Sequence, residues 1–229
     1  MIPIRDENPT RHTPYVTLTL IGLNVLVFAY QFFLSRQAEM IFAYEFGAVP
    51  ALIFGSAQIP PFLAPLPWPL TLVTACFLHG GIMHLGGNML YLWIFGNNIE
   101  DVLGPLRFIV FYLVGGVLAN LAHVISEPSS AIPMIGASGA IAAVLGAYLV
   151  LFPRAKIVVL LWFFFIVQFI KIPAVIVLAI WFLLQVLSLG GEGVAWMAHI
   201  GGFVVGLVLI RFFLPRAGGP RSRGPRLVS

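Results

Sequence analysis

The chain has 229 residues, of which 60% are hydrophobic and only 9% are charged, and its mean hydropathy is +1.03. Soluble domains carry about 25% charged residues, so this composition excludes an ordinary soluble domain and predicts a polytopic membrane protein. Five of the twelve basic residues stand at the C-terminal end, so the net charge of +4 is not distributed like a nucleic-acid-binding surface.

Six segments are apolar enough to cross a bilayer as helices, which takes about 20 residues each. In chain order they are 15–33, 80–97, 106–126, 136–152, 173–190 and 195–214. The predicted fold class is therefore all-α, a polytopic bundle of six transmembrane helices. It comprises a cytoplasmic N-terminal segment at 1–14, one membrane domain at 15–214 and a basic cytoplasmic tail at 215–229.

Two stretches do not fit a spanning helix. The long connection 34–79 contains the proline-rich sequence QIPPFLAPLPWPL, which predicts a loop lying partly in the outer membrane face. The run 157–170 is apolar but short, and basic residues bracket it. It is therefore interpreted as an interfacial or re-entrant segment, with a seventh span as the alternative.

The distribution of basic residues predicts the orientation in the membrane. With six spans and the N-terminus inside, eleven of the twelve basic residues fall in inner segments and only Arg36 lies outside. The positive-inside rule then puts both termini in the cytoplasm. Because no targeting presequence or additional domain is visible, we expect a prokaryotic cell (inner) membrane.

Polar side chains within spans are energetically costly and indicate function. His84 and Asn88 lie on the second predicted span, Ser138 on the fourth and His199 on the sixth, all near the outer ends. At about 1.5 Å per residue, they fall within roughly one helical turn of a common depth. We expect them to converge on one site that water can reach from the outer surface.

Serine and histidine at one site suggest nucleophilic catalysis, because a histidine can take the proton of a hydroxyl that attacks a carbonyl group. Ser138 is the candidate nucleophile and His199 the candidate base. Gly202 and Gly206 share the helix face of His199 and permit close approach to the span of Ser138. Of the acidic residues, only Glu192 is near enough in sequence to be considered as a partner of His199, so a Ser–His dyad is predicted.

Three motifs occur in one order: HGGIMHLGGN at 79–88, GASG at 136–139 and AHIGGFVVG at 198–206. Together they resemble the motifs of the rhomboid family of intramembrane serine proteases, over about residues 70–210. The resemblance implies a six-helix fold that hydrolyses peptide bonds in or near transmembrane segments of membrane proteins, without metal or cofactor.

The resemblance also implies roles for individual residues. Ser138 would be the nucleophile and His199 the general base and acid. His84, Asn88 and the backbone N–H of Ser138 would form the oxyanion hole, and Gly136 would allow close approach of the loop.

His79 is a supporting residue in this interpretation, and it either shapes the loop and water access or satisfies a backbone group. Two positions depart from the family pattern. The aromatic residue often found four positions after the serine is Ala142 here, which leaves Phe203 as a candidate to hold the histidine ring. The tryptophan–arginine pair of the outer loop has no counterpart, because the only arginine there, Arg36, follows Ser35.

The other polar residues near the spans are interpreted as structural. Asn120 and His123 on the third span are expected to form structural hydrogen bonds. Glu100 stands where the family has an acidic position, and it and Asp101 are expected to bind backbone groups at a helix end.

Three other function classes are each compatible with part of the sequence. A catalytically inactive rhomboid-like protein that binds transmembrane helices is the main alternative, although such relatives usually lose the serine or the histidine. The five histidines suggest a membrane protein with a histidine-bound metal or haem, but the HExxH motif expected of a zinc hydrolase does not occur. A small transporter would be expected to show inverted repeats, and none are evident in the sequence. The expected partners are transmembrane substrates and the lipid bilayer, with no nucleic acid; substrate identity and oligomeric state remain open.

Overall fold

The computed structural model describes residues 2–56, 60, 63, 66–163, 166–187 and 195–215. Glu192 and the tail from 216 onward lie outside these residues. The strands within the described ranges are β1 (Ile2–Asp6), β2 (Lys156–Phe163) and β3 (Ile166–Pro173). The helices, in chain order, are α1 (Tyr15–Phe32), α2 (Arg36–Phe46), α3 (Pro50–Ile53), α4 (Trp68–Thr74), α5 (Ile82–Tyr91), α6 (Asn97–Leu103), α7 (Pro105–Ser126), α8 (Ser138–Leu151), α9 (Ala174–Leu187) and α10 (Trp196–Phe213).

Each of the six segments predicted to span the membrane contains helix. The bounds are close to those predicted except in the second segment, where α5 continues through a π-helical turn into α6 and ends at Leu103 instead of at residue 97. Among the described residues, α1, α7 and α10 are long and apolar enough to cross a membrane. A fourth candidate is the pair of helical segments 68–77 and 82–103, which meet at an angle of 86°. The apolar helices α8 and α9 are shorter, with 14 residues each. The protein is thus a mostly helical integral membrane protein.

The all-α prediction is wrong at the N-terminus and in the run 157–170. There the chain forms a three-stranded antiparallel sheet in the order β1-β2-β3. The seventh-span alternative is wrong because the backbone of this run is extended. A continuous apolar run does not distinguish a strand from a helix by its periodicity. The residues that join β2 to β3, 164 and 165, are both phenylalanine, so no glycine or asparagine indicates a turn.

The connection 34–79 is also more helical than predicted, since it contains α2, α3, α4 and a 3₁₀ turn at Ala75–Phe77. The prolines of this connection were expected to prevent helix formation, but two of them stand in the first turn of a helix. Pro50 occupies the first turn of α3, and α4 has a proline in its first turn as well. Proline is tolerated there because an N–H group in the first turn has no partner within the helix. Residues 57–59, 61, 62, 64 and 65 of this connection lie outside the described part of the chain.

Helix α8 lies at the centre of the molecule, with every residue from 139 to 148 buried, and it packs mainly against α10 and α7. The glycine face of α10 makes this contact very close. A Cβ at Gly202 would overlap the carbonyl oxygen of Gly139, and one at Gly206 would overlap that of Ala143. The expected close approach of the two helix backbones is therefore observed, and it fixes the spacing of the side chains at their N-terminal ends.

Acidic residues at the opposite end of the bundle bind the start of α1, as expected. The carboxylate of Glu100 accepts hydrogen bonds from the backbone N–H of Val16 (2.9 Å) and Thr17 (2.8 Å) and from the Thr17 hydroxyl (2.8 Å). Asp101 accepts from the backbone N–H of Arg11 and His12. The bonds of Glu100 to the N–H groups of Val16 and Thr17 satisfy donors that the N-terminus of α1 leaves without intrahelical partners, and those of Asp101 hold the segment that precedes the helix.

Of the two polar residues on the third predicted span, Asn120 behaves as expected. Its Nδ2 donates to the carbonyl oxygen of Leu72 at 2.7 Å and contacts Cys76 Sγ at 3.4 Å. It thereby ties α7 to α4 and the 3₁₀ turn. The structural hydrogen bond predicted for His123 is not found at Nδ1, which is buried without a partner among the described residues.

Candidate functional site

Ser138 is the first residue of α8, immediately after the loop that contains Gly136. The first intrahelical hydrogen bond of α8 runs from the N–H of Ile141 to the carbonyl of Ala137. The backbone N–H groups of residues 138–140 therefore come before the first intrahelical hydrogen bond and have no acceptor within the helix. Such groups, together with the positive end of the helix dipole, favour negative charge near the serine.

Ser138 and His199 are in hydrogen-bond contact, because Oγ of the serine lies 2.7 Å from Nε2 of the histidine. The serine begins α8 and the histidine lies in the first turn of α10, so the close packing of these two helices brings them together. Both side chains are only partly buried. This is the geometry in which an imidazole can accept the proton of a hydroxyl.

The second ring nitrogen of His199 has a partner that the sequence did not reveal. Nδ1 lies 2.7 Å from Oε1 of Gln185, on α9. Two tryptophans flank the ring: Trp181 at 6.2 Å between ring centroids, and Trp196, edge to face, at 5.8 Å. The expectation that Phe203 would hold the His199 ring is wrong. Phe203 packs against Trp181 instead, with 5.8 Å between the ring centroids.

Gln185 was missed because α9 reads as a uniformly apolar segment and carries no motif. The only signal was a single amide in the sequence IWFLLQVL, on a predicted span. Strongly polar groups within spans are rare, and this one could have been added to the list of candidates on that ground.

His84 lies at the start of α5, against the loop of Gly136. The N–H of Gly80 donates to its Nδ1 at 3.4 Å. In a neutral imidazole with Nδ1 as the acceptor, Nε2 carries the proton and is a donor. That Nε2 lies directly beside Gly136, whose backbone φ is +133°, a conformation that L side chains rarely adopt.

Asn88 lies one turn further along α5, on the same face as His84. Its side chain is buried, and its Nδ2 has no hydrogen-bond partner among the described residues. A buried amide donor without a partner is unfavourable by about 1–3 kcal/mol. Such groups are uncommon in folded proteins, and a functional role is one explanation for them.

One cavity of about 560 Å³ connects these side chains. Its lining includes all four polar residues that were expected to converge, together with Gln185 and Trp181 from α9; the four are His84, Asn88, Ser138 and His199. The cavity thus combines a nucleophile–base pair, amide and imidazole donors and apolar walls, which is the usual composition of a ligand site.

His79 stands beside the site and does not line its cavity. The backbone N–H and carbonyl of His79 are both bound by the side chain of Gln31 on α1, at 3.1 and 3.3 Å. Its ring lies edge-on to that of His84, with 5.1 Å between the centroids. His79 therefore packs against the ring of His84, and its backbone is held by α1. In the described part of the chain, no three histidine, cysteine or acidic side chains form a group suited to hold a metal ion.

Comparisons with known proteins identify the family of the chain. Residues 68–216 match the family model described as the Rhomboid domain. The chain is 31% identical over 203 residues to Rhomboid protease GluP of Bacillus subtilis, an alignment that covers 86% of this chain and 36% of that protein.

Two further relatives are named for mitochondria. Rhomboid protein 1, mitochondrial, of Saccharomyces cerevisiae is 26% identical over 237 residues, with 89% of this chain and 65% of that protein covered. Presenilin-associated rhomboid-like protein, mitochondrial, of Homo sapiens is 33% identical over 94 residues, an alignment that covers 40% of this chain and 24% of that protein. The chain thus spans less than two thirds of the length of these relatives.

Proposed function

Because the chain belongs to the rhomboid family, whose domain matches residues 68–216, we propose that it is a serine endopeptidase that cuts peptide bonds in or near transmembrane segments of other membrane proteins. The contact of 2.7 Å between Ser138 Oγ and His199 Nε2 is the observation that carries the proposal. The name of its Bacillus subtilis relative, a rhomboid protease, supports the same activity.

In the first step, Ser138 Oγ attacks the carbonyl carbon of the peptide bond while its proton passes to Nε2 of His199. The carbonyl π electrons move to oxygen and give a tetrahedral oxyanion. When this intermediate collapses, the C–N bond breaks and His199 returns the proton to the leaving amine. The products are a free amine terminus and an ester on Ser138.

The oxyanion requires donors that are already in position. The proposed donors are Nε2–H of His84, Nδ2–H of Asn88 and the backbone N–H of Ser138. The amide of Asn88 is suited to this role because it is buried without a partner, so it needs no rearrangement to receive a new acceptor. Losing one donor of this kind typically raises the barrier by about 3–4 kcal/mol.

In the second step, water hydrolyses the ester on Ser138. His199 takes a proton from water as the hydroxyl oxygen attacks the ester carbonyl, and the same donors stabilise the second oxyanion. Collapse breaks the C–O bond, and the proton on His199 returns to Ser138. The cavity of about 560 Å³ in front of the two residues has room for substrate and water.

The membrane arrangement is part of the proposal. Six crossings, with α5 and α6 forming one of them, put Ser138, His84 and His199 at the outer side and both termini at the cytoplasmic side. The support is the distribution of basic residues, eleven of twelve of which fall in inner segments. Since relatives named for mitochondria stand beside bacterial ones, the prokaryotic membrane remains a prediction.

The proposal is tested with purified protein in detergent or liposomes and a single-pass reporter whose transmembrane segment carries small, helix-destabilising residues. Wild-type protein should release two fragments, and Ser138→Ala and His199→Ala should not. Thermal unfolding of each variant controls for folding. Cleavage by wild type that both variants retain would show that another protease is responsible, and binding without cleavage would favour the inactive rhomboid-like alternative.

A further inference from the structure

The side chain of Gln185 is buried between α9 and α10, with 9% of its surface exposed. Its Oε1 lies 2.7 Å from Nδ1 of His199, and its Nε2 donates to the carbonyl oxygen of Trp181, one turn earlier on the same helix, at 3.2 Å. Both ends of the amide are therefore engaged, one by the helix and the other by the imidazole.

The bond to Trp181 determines which end of the amide faces the histidine. If the amide were reversed, its oxygen would face the carbonyl oxygen of Trp181, and two acceptors would oppose each other in an apolar site. The backbone carbonyl is an obligatory acceptor, so Nε2 of Gln185 must point toward it. Oε1 is then the atom presented to His199.

An amide oxygen only accepts hydrogen bonds, so Nδ1 of His199 must carry a proton to bind it. In a neutral imidazole, Nε2 is then unprotonated and free to accept the proton of Ser138 Oγ, which lies 2.7 Å away. The opposite tautomer would lose the bond to Gln185, because Nδ1 would face an oxygen acceptor without a proton. It would also reverse the bond to the serine, because Nε2–H would donate to Oγ and could no longer take its proton.

We propose that Gln185 is a positioning residue that holds His199 in the tautomer and orientation needed to act as a base toward Ser138. This inference rests on the function proposed above. Gln185 does not touch the reacting atoms, and it takes the orienting position that a carboxylate occupies in a serine–histidine–aspartate triad. The dyad is thus completed by a neutral amide from a third helix.

A neutral partner has a chemical consequence. A carboxylate beside Nδ1 would stabilise the positively charged imidazolium, whereas an amide oxygen contributes only a dipole. The enzyme should therefore keep His199 in its neutral, proton-accepting form at lower pH than a triad with an acid in this position would.

Three substitutions separate this role from a structural tie between α9 and α10. Gln185→Met keeps the length of the side chain but removes the acceptor, and we expect kcat to fall on the order of 10- to 100-fold with KM little changed, as activity does when the group that orients a metal-bound imidazole through its second nitrogen is removed. Gln185→Glu keeps an acceptor, so activity should be retained at alkaline pH. The matched control is Gln168→Met, which alters an exposed glutamine on β3.

The pH profile of kcat/KM gives a readout that a purely structural role would not move. In Gln185→Glu, the acidic limb should shift to higher pH, because the carboxylate stabilises the protonated ring. In Gln168→Met, both limbs should match wild type. Thermal unfolding of each variant identifies any loss that comes from misfolding.

A second measurement does not depend on any substrate. The ¹⁵N resonances of His199 in the resting protein, labelled at histidine and assigned with His199→Ala, report which ring nitrogen carries the proton. Wild type should show a protonated Nδ1, and Gln185→Met should show a mixture of tautomers. A protonated Nε2 in wild type would overturn the inference even if Gln185→Met proved too unstable for kinetics.

The outcomes distinguish the two proposals. If wild type cleaves the reporter, Ser138→Ala does not, and both Gln185 variants match wild type in kcat and in pH profile, then the role of Gln185 is wrong and the protease assignment stands. If Ser138→Ala cleaves as well as wild type, the proposed function fails, while the ¹⁵N spectrum still tests the tautomer.

Discussion

Gly136 packs directly against the imidazole ring of His84. A Cβ at residue 136 would lie 2.9 Å from both Cε1 and Nε2 of that ring and 3.6 Å from Oγ of Ser138. The space that the glycine leaves is therefore bordered by the proposed donor on one side and the proposed nucleophile on the other. A tetrahedral oxyanion would need room at such a place.

Gly136→Ala should abolish most activity, because the added methyl group occupies this space and the backbone φ of +133° is strained for alanine. We expect kcat to fall by at least about 100-fold, comparable to the loss of an oxyanion donor. The measurement is reporter cleavage, with Gly86→Ala as the matched control. A Cβ at Gly86 meets nothing within 4 Å, so that variant should cleave normally. Normal cleavage by Gly136→Ala would contradict the assigned geometry.

Two buried asparagines, Asn88 and Asn120, differ in their hydrogen bonds and should differ in what they contribute. Nδ2 of Asn88 has no partner among the described residues, whereas Nδ2 of Asn120 donates to Leu72 at 2.7 Å. Asn88→Ala should lower kcat by about 10²–10³-fold with little loss of stability, because the amide acts only when an oxyanion forms.

Asn120→Ala is the matched control for this experiment and should behave in the opposite way. It removes the amide that donates to the carbonyl of Leu72 and leaves that carbonyl with only the weak thiol donor of Cys76 from the side chains, so the free energy of unfolding should fall by about 1–3 kcal/mol. Its kcat should remain near that of wild type once the folded fraction is taken into account. Unfolding titrations and initial rates on both variants provide the comparison, and equal effects of the two substitutions on kcat would argue against a special role for Asn88.

The seam between α8 and α10 depends on glycine at residue 206. Gly206→Ala puts a methyl group onto the carbonyl oxygen of Ala143, so the helices must separate, and we expect a loss of about 1–3 kcal/mol in the free energy of unfolding. Gly22→Ala on α1 is the control, since a Cβ there meets nothing within 4 Å. It should leave stability unchanged or raise it by up to about 1 kcal/mol, because alanine favours helix over glycine. Equal stability of the two variants would contradict direct backbone contact.

The docking of the N-terminal strand should depend on pH through Asp6. Burial raises the pKa of its carboxyl from 3.8 to about 6, although hydrogen bonds from Tyr148 (2.8 Å) and Asn98 (2.7 Å) oppose the shift. Between these two pH values the docked strand binds a proton that the released strand does not. Docking should therefore weaken as the pH rises from about 4 to about 6 and stay constant above that.

The effect of pH on docking through Glu7 has the opposite sign, because the side-chain hydrogen bond with Lys171 lowers the pKa of Glu7 from 4.5. Its contribution is complete above pH 4.5 and is lost only as the pH falls through the lowered value, so measurements above 4.5 isolate Asp6. Hydrogen exchange of the amides of β1 is the suitable probe. Asp6→Asn should remove the change between about 4.5 and 6, and a change that persists in this variant would assign it to another group.

The residues that meet at the cavity could be predicted from the sequence because polar groups inside apolar spans are rare and their depth follows from counting. The contact of Ser138 with His199 required only that two helices with small residues pack closely, and Gly202 supplies that condition. The position of Gln185 could not be predicted in the same way. Its role depends on how α9 is rotated against α10, and the sequence of α9, apolar at every position except Gln185, leaves that rotation undetermined.

The sheet was missed for a different physical reason. After Lys156, strand β2 is a continuous run of apolar residues. Strand β1 comes from a short polar segment whose pairing partner lies more than 150 residues away in the sequence. Local patterns carry no information about such a long-range pairing. Glu100, by contrast, was interpreted correctly, because a carboxylate at a helix end commonly accepts hydrogen bonds from nearby backbone N–H groups.

The most direct test of the central claim, that His199 activates Ser138, is covalent labelling with a fluorophosphonate followed by mass spectrometry of the peptide that contains residue 138. The phosphonyl group should be found on Ser138 in the wild-type protein, fluoride being the leaving group. His199→Ala should lose the label while retaining its fold. Modification of a different residue, or equal labelling of Ser138 in His199→Ala, would contradict the account.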